Sequence, residues 1–549
     1  MASDAPSERV YTAVAYLVVL VVAVWVRIPT LSEGFWIDEV MSAAIISDPW
    51  ALMMTRIGFT DVHPPGYYML LKAWSGLWGQ SDLALRSLSM VAGLGTLVLV
   101  MSWLHTWARW PVALLGGLLL ACSPFHSHYS VEVRAYALFT LAALALVWRL
   151  ERWLQAPTTR GLRTVILLEV LTLGLHYYGL LWVALLNLYV FGTNRLRAQG
   201  WRRQWLKGQC VSLSVLACWL PLLFVQVFEL PEVMKAHLSD TLPFSRILAA
   251  LGPFPSLEAS LIAIVSGAGL VLLALWGAWS LRADAKSELE APPQGAAPVT
   301  LASGLVIAAT LLIMPLFALI LLPMSESLLE AYLRQLPWAY GAIVTVVMLG
   351  AIAAWARPLQ VRLPLVPWLM IAGPLLVLLM HQLQPMLFLR NLLVFVPLVV
   401  LCASCSLRRA PTSVPIALCC FLLVVAGLHL EQGSEGFMPR QDFKGAIEAL
   451  AEAPDELVIV APAWDAEGVS RYAVGQQIVP VMSSQEVARA TGTASSLIVL
   501  LARPERFALS MAEVDVALGP DWERGEAARF RGHRGAMRWL RYRRVAGPP

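Results

Sequence analysis

The chain has 549 residues, 58% of them hydrophobic and only 14% charged, against about 25% charged in an ordinary soluble domain. So few polar residues cannot cover one soluble core of this length, and disorder needs low hydrophobicity, so both are excluded in favour of a polytopic membrane protein. The net charge of +4 hides an uneven distribution: the residues after Leu430 hold 14 of the 40 Lys and Arg and 16 of the 36 Asp and Glu. That shift marks a membrane body over residues 1–430 and a soluble domain over 431–549.

The N-terminus, MASDAPSERV, is of mixed charge, and the apolar run Val10–Ile28 lacks a small-x-small cleavage site. It reads as an uncleaved first span. A spanning helix needs about 20 mainly apolar residues. That rule places spans near 10–28, 84–104, 110–128, 135–153, 163–177, 178–193, 209–228, 258–281, 300–322, 337–356, 364–381, 390–407 and 413–430, thirteen in all. With the N-terminus in the cytoplasm, the inner segments carry 17 Lys and Arg and the outer loops 8, as the positive-inside rule requires. Fusing the fifth and sixth spans would put the cluster Arg195–Lys207 outside, so they are kept apart. The odd count places the C-terminal domain outside the plasma (inner) membrane.

Between the first two spans lies a long loop, 29–82. In Gly66–Trp78, the residues Tyr67, Leu70, Leu71, Trp74, Leu77 and Trp78 follow i, i+3, i+4, i+7 spacing, which predicts an interfacial amphipathic helix. Asp38–Ile57 reads as a pair of short helices broken at Pro49. Residues 282–299 form a polar, Pro-rich cytoplasmic linker. The C-terminal part reads as α/β, with a helix at Asp442–Ala451 and strands at Glu456–Ala461 and Ser496–Leu501. A helix at Glu505–Leu518 and a closing hairpin at Phe530–Arg543 complete it. All seven cysteines fall in or beside apolar runs and read as buried small hydrophobes, not as a disulfide framework or a metal site.

Five clusters on the predicted outer face carry residues able to do chemistry. Trp36-Ile37-Asp38-Glu39 puts two carboxylates beside the membrane, as a general base for an acceptor or as a solvated helix start. His63-Pro64-Pro65-Gly66-Tyr67-Tyr68 presents an imidazole at the start of the interfacial helix, to meet a phosphate or simply to turn the chain. Ser123 to Tyr136 (SPFHSHYSVEVRAY) supplies Glu132, Arg134 and Tyr136, with an internal Glu132–Arg134 pair as the plain alternative. His126 and His128 lack the further ligands of a metal site. His176-Tyr177-Tyr178-Gly179 forms a short outer turn. Leu387 to Leu392 (LFLRNL) carries Arg390, a counterion for a lipid-linked phosphate or an anchor to headgroups.

In this order, the motifs WIDE, HPPGYY, SPFHSHYSVEVRAYAL, HYYG and LFLRNLLVFVPL resemble those of membrane glycosyltransferases of the GT-C fold. The nearest groups are the protein O-mannosyltransferase-like family 39 and the aminoarabinose lipid A transferase-like enzymes. The resemblance covers roughly 1–430 and implies transfer of a sugar from a polyprenyl-phosphate donor, usually with inversion, on the outer side of the membrane. The acceptor is a lipid, glycan or protein. It implies Asp38 as the base, with Glu39 as neighbour or substitute. It also implies a donor site formed by His63, Tyr67, Glu132, Arg134, Tyr136, His176, Tyr177 and Arg390. No cofactor or metal is needed by this scheme, although some relatives use a divalent cation. Two features depart from the pattern: Asn391 stands where a Tyr is common, and a β-trefoil domain is absent. The competing expectation is a transporter or flippase of lipid-linked sugar intermediates, which predicts internal repeats and charges at mid-membrane. Glu169 is one such charge, but repeats are not visible. Membrane lipids are expected partners and nucleic acid is not.

Overall fold

The computed structural model describes residues 6–192, 200–219, 221, 222, 225, 226, 268–278, 280, 364–383, 389–432, 440–450, 456–502, 509–530 and 537–545. It is a mostly helical body followed by one small mixed sheet. The expected spans at 300–322 and 337–356, the linker 282–299 and most of 258–281 lie outside the described residues, so the count of thirteen is not established.

The helices of the first part are α1 Pro6–Leu31, α2 Ile37–Ser47, α3 Trp50–Thr60, α4 Gly66–Trp78, α5 Asp82–Trp107, α6 Trp110–Ala121, α7 Pro124–Tyr129, α8 Tyr136–Gln155, α9 Thr159–Leu175 and α10 Tyr178–Gly192. Among the described residues, Glu8–Leu31 and Asp82–Trp107 are long and apolar enough to cross a membrane, and several shorter apolar helices pack with them. Leu17, Val21 and Trp25 on α1, Leu167 on α9, and Leu188 and Phe191 on α10 point outward. An apolar outer surface of this kind suits lipid. The break between α9 and α10 falls at His176 and Tyr177, so the predicted split of 163–193 holds.

Glu169, buried in α9, is fully engaged: Gln209 and Ser212 donate to its oxygens. Asn187 in turn donates to Gln209 and accepts from Trp205. Such closed polar networks hold packed helices together in an apolar setting.

The first long loop is three helices. The predicted break at Pro49 separates α2 from α3, and the Lys72 ammonium on α4 closes that break by donating to the carbonyls of Ile46 and Asp48, at 2.5 and 2.6 Å. Lys72 thus supplies the cation that helix C-terminal carbonyls favour. The loop begins later than expected, because α1 runs through Pro29 to Leu31.

Helix α4 has the predicted limits, but its buried face is Tyr67, Tyr68, Leu71 and Ser75. Leu70, Leu77 and Trp78 of the expected stripe face outward. Its first residue is Gly66 for a steric reason: a Cβ there would lie 2.4 Å from the carbonyl oxygen of Gly174 on α9. Only glycine lets these two backbones touch.

The C-terminal sheet has the order β2-β1-β3-β5-β4. The strands are β1 Leu457–Ala461, β2 Gln477–Pro480, β3 Ser496–Leu501, β4 Trp522–Phe530 and β5 Met537–Arg544. β1 pairs parallel with β2 and β3, and β5 runs antiparallel between β3 and β4. The alternation of β1 and β3 sends Ile459 and Val499 to one face and Val458, Val460, Ile498 and Leu500 to the other. The expected helix at Glu505–Leu518 is shorter, Met511–Leu518, because Ser510 and Glu513 form a capping box that starts it there. The hairpin is longer than expected, since the run from Trp522 pairs along β5 despite its many charges. Strand β2 has too few residues to show a period.

Candidate active site

Asp38 and Glu39 open α2 and diverge at once. Glu39 is fully buried. Arg86, near the start of α5, grips it with two bonds, Nε to Oε1 at 2.9 Å and Nη2 to Oε2 at 2.6 Å. The backbone N–H of Val133 adds a third bond to Oε1 at 3.1 Å. Arg86 also donates to the carbonyls of Thr30, Leu31, Glu33 and Gly34. It therefore satisfies the orphan carbonyls at the end of α1 while neutralising Glu39.

Asp38 has a different environment. Arg390 donates to its Oδ2 at 2.9 Å, and the two side chains are 27% and 24% exposed. Arg390 lies in a 3-10 segment, Leu389–Phe395. Its guanidinium is 5.6 Å from the Tyr136 ring centre.

The second group is centred on Asp61, which the sequence reading missed. Its Oδ1 accepts from the N–H groups of Val62 and His63 and lies 2.6 Å from His63 Nδ1. Its Oδ2 accepts from the Tyr68 hydroxyl at 2.6 Å and from Arg134 at 2.9 Å. Burial alone raises the Asp61 carboxyl, but Arg134, His63 and Tyr68 outweigh it and hold it far below the usual carboxylate range. Burial lowers His63 more than Asp61 raises it, with Arg134 also lowering it, so the imidazole is neutral near pH 7.

Arg134 also lies 3.1 Å from His63 Nδ1. One nitrogen cannot donate to Asp61 and accept from Arg134 together. The shorter contact to a carboxylate decides that Nδ1 carries the proton, leaving the Nε2 lone pair as an acceptor.

Glu132 and Arg134 do not pair through their side chains, which settles the alternative left open by the sequence. Arg134 turns to Asp61, and Glu132 turns to Arg440 of the C-terminal part, 3.8 Å away. Neither oxygen of Glu132 has a hydrogen-bond donor among the described residues. Burial pushes this carboxyl up to about 7, against the pull of Arg440 and with a further push from Glu39.

Tyr136 sits between these groups, with ring centres 6.0 Å from His63, 5.7 Å from His176 and 5.5 Å from Tyr129. His176 lies 5.0 Å from His63, ring to ring, and its Nδ1 accepts from the N–H of Tyr178. Tyr67 is buried beside Tyr68, 5.4 Å between ring centres. Tyr177 is more peripheral: it donates to Gln226, which in turn donates to the carbonyls of Ile57 and His63.

His126 and His128 face different arginines, Arg27 and Arg440. Among the described residues, no group of three or more His, Cys, Asp and Glu side chains is placed to hold a metal ion.

No protein-family model matches the chain, and no curated protein matches it in sequence. Several solved structures are similar to it in chain path. ArnT from Cupriavidus metallidurans in the apo state is 15% identical over 97% of both chains, with a TM-score of 0.43. The same enzyme bound to undecaprenyl phosphate gives 15%, 98% of both chains and 0.44. The Archaeoglobus fulgidus oligosaccharyltransferase in complex with Zn and sulfate is 12% identical over 88% of this chain and 67% of that one, with a TM-score of 0.44. The mycobacterial arabinofuranosyltransferase AftD gives 12%, 98% of this chain, 40% of that one and 0.44.

Proposed function

We infer that the protein is a membrane glycosyltransferase that moves a sugar from a polyprenyl-phosphate donor to an acceptor on the outer face of the membrane. The observation that carries this reading is the Asp38–Arg390 pair: an accessible carboxylate held by an accessible guanidinium, beside the ring of Tyr136. The likeness of WIDE, HPPGYY and the Glu132–Arg134 motif to the GT-C enzymes supports it, since these motifs meet around that pair. On the same reading, the N-terminus is cytoplasmic and the C-terminal domain lies outside the plasma (inner) membrane.

The chemistry follows from the charges. The donor phosphate competes with Asp38 for Arg390. When Arg390 turns to the phosphate, the Asp38 carboxylate gives up that hydrogen bond and becomes a better base. Asp38 then accepts the proton of an acceptor hydroxyl or amine as that group attacks the anomeric carbon. The bond from that carbon to the phosphate oxygen breaks, and polyprenyl phosphate leaves with the electron pair, its charge met by Arg390. Glu39, with both oxygens engaged by Arg86, positions the turn and does not replace Asp38 as base. Arg134, committed to Asp61, orders the wall of the site. His63, with Nε2 as acceptor, suits a hydroxyl of the sugar better than a phosphate, which needs donors. The reading routes no step through a metal.

The test is transfer from a panel of radiolabelled undecaprenyl-phosphate sugars by the protein in membranes. Asp38→Asn should lower transfer by about 100-fold or more without changing expression or melting temperature. Near-normal activity in that variant would sink the assignment of the base. Loss of wild-type activity in EDTA, restored by Mg²⁺ or Mn²⁺, would overturn the metal-free scheme. Mass spectrometry of envelope lipids and glycans in a deletion strain would identify the acceptor.

A further inference from the structure

The turn that bears Asp38 is held from two sides. Arg86 and the end of α1 hold it from the membrane body. The second hold comes from more than 400 residues away in sequence. Ile37, the residue before Asp38, is buried in the hydrophobic core of the C-terminal sheet, with Phe443, Ile447, Val458, Val460 and Trp539, and Trp36 and Met41 pack at its edge.

The N–H of Ile37 donates to Oε1 of Gln441 at 3.4 Å. The N–H of Phe35 donates to the Tyr472 hydroxyl at 2.6 Å, and that hydroxyl donates onward to Asp82 at 2.6 Å. Arg471 adds two bonds to Asp82 and lies 4.4 Å over the Phe35 ring. An ion pair between Arg56 and Glu467 closes the same seam.

Arg440 reaches furthest. It is 6% exposed and donates to the carbonyl of His128 at 3.3 Å. Its guanidinium lies 3.8 Å from Glu132 and 4.0 Å from Glu39. These contacts are too long for hydrogen bonds but strong as buried charge pairs. Three acids, Asp38, Glu39 and Glu132, face three arginines, Arg390, Arg86 and Arg440. Without Arg440, Glu132 must either strand a charge in a low-dielectric wall or take up a proton, and either change alters the packing behind Asp38.

We propose that the C-terminal domain is a working part of the active site, with Arg440 as a positioning residue that holds the buried acids Glu39 and Glu132 in register behind Asp38. Gln441 and Tyr472 pin the backbone of the same turn. Arg440 touches no reacting atom; it acts through the placement of Asp38. The catalytic half of this statement rests on the transferase reading above, whereas the clamp itself does not.

The test uses the full-length protein in lipid nanodiscs, with hydrogen exchange on peptides covering 33–45 and sugar transfer from undecaprenyl-phosphate donors. Arg440→Gln and Tyr472→Phe should each raise exchange in that segment by about tenfold. A misplaced base of this kind should cut kcat by about 10- to 100-fold with the donor KM nearly unchanged. Arg440→Lys should recover much of both. In Arg440→Gln the pH profile should also move to higher pH, because Glu132 loses its strongest cationic neighbour and keeps Glu39, Asp38 and Arg390, with Tyr67, Tyr129 and Tyr136 beside it. Val516→Ser, on an exposed helix face of the same domain, should change nothing. If Arg440→Gln alone is poorly folded, the double variant Arg440→Gln/Glu132→Gln removes the unpaired charge and should still show raised exchange at 33–45. Unchanged exchange in folded Arg440→Gln, or lost activity with unchanged exchange, would overturn the proposal. Raised exchange in a protein whose wild type transfers no sugar supports the clamp and removes the transferase reading instead.

Discussion

Asp38 and Glu39 are adjacent carboxylates on one helical turn, yet Asp38 is about a quarter exposed against a part-exposed arginine and Glu39 is sealed against Arg86 with no exposed surface. The same residue type is thereby used for two purposes. A sealed pair with every donor spent holds geometry, because any motion strands a buried charge. A half-open pair can be exchanged for a better partner, because water compensates each ion while it moves. Of the two pairs, Asp38–Arg390 is the one that solvent, and so a competing anion, can reach.

Three measurements test that contrast. The largest effect is expected from the sealed side. Arg86→Gln leaves Glu39 uncompensated in the core and removes the caps of α1, so stability should fall by about 3–5 kcal/mol. Expression and melting temperature check it; a variant that melts like wild type would mean that Glu39 is not structurally committed.

Next comes Glu132→Gln. Its carboxyl is pushed up from 4.5 to about 7 by burial. A raised carboxyl costs the fold nothing below pH 4.5, and the cost grows as pH climbs to about 7 and then levels off. Wild type should therefore lose stability relative to the Gln variant over that window, by about 3 kcal/mol at most. Melting curves at pH 4.5 and 8 test this, and a difference that does not change with pH would refute it.

The smallest effect is on the open side. Arg390→Lys keeps the charge but not the planar fork, and Arg390 is part-exposed, so stability should move by less than about 1 kcal/mol. Undecaprenyl phosphate binding should nevertheless weaken measurably in a titration. A large stability loss with intact binding would reverse the roles assigned to the two pairs.

How much of this was legible in the sequence depends on the range of the interactions. Helix α4 and strand β3 have the limits that periodicity and turn residues predict, and the break at Pro49 is where proline chemistry puts it. These are local effects. Asp61 was missed because a single acid before Val62 and His63 has no motif; its meaning comes from Tyr68 and Arg134, which only the fold brings to it. Arg86 counted merely as an outer-loop charge, and its role as the partner of Glu39 depends on a contact 47 residues away in sequence. Arg440 was the least visible of all, one cation in a charged domain. Nothing within several residues of it marks it as the one turned inward. Conversely, Asp38, His63, Arg134 and Arg390 were singled out by motif, and the structure brings them within one neighbourhood while giving Arg134 a different partner from the one its neighbour Glu132 suggested.

Tyr472 joins Asp82 to the N–H of Phe35, residues that lie 390 and 437 positions before it in the chain. A ribosome delivers that chain from the N-terminus, so the helices of the membrane body enter the bilayer with the turn at Asp38 still lacking its second support. The turn gains that support only when the final domain has docked on it. A nascent or prematurely ended chain thus carries the acid and its motifs without the contacts that pin their backbone.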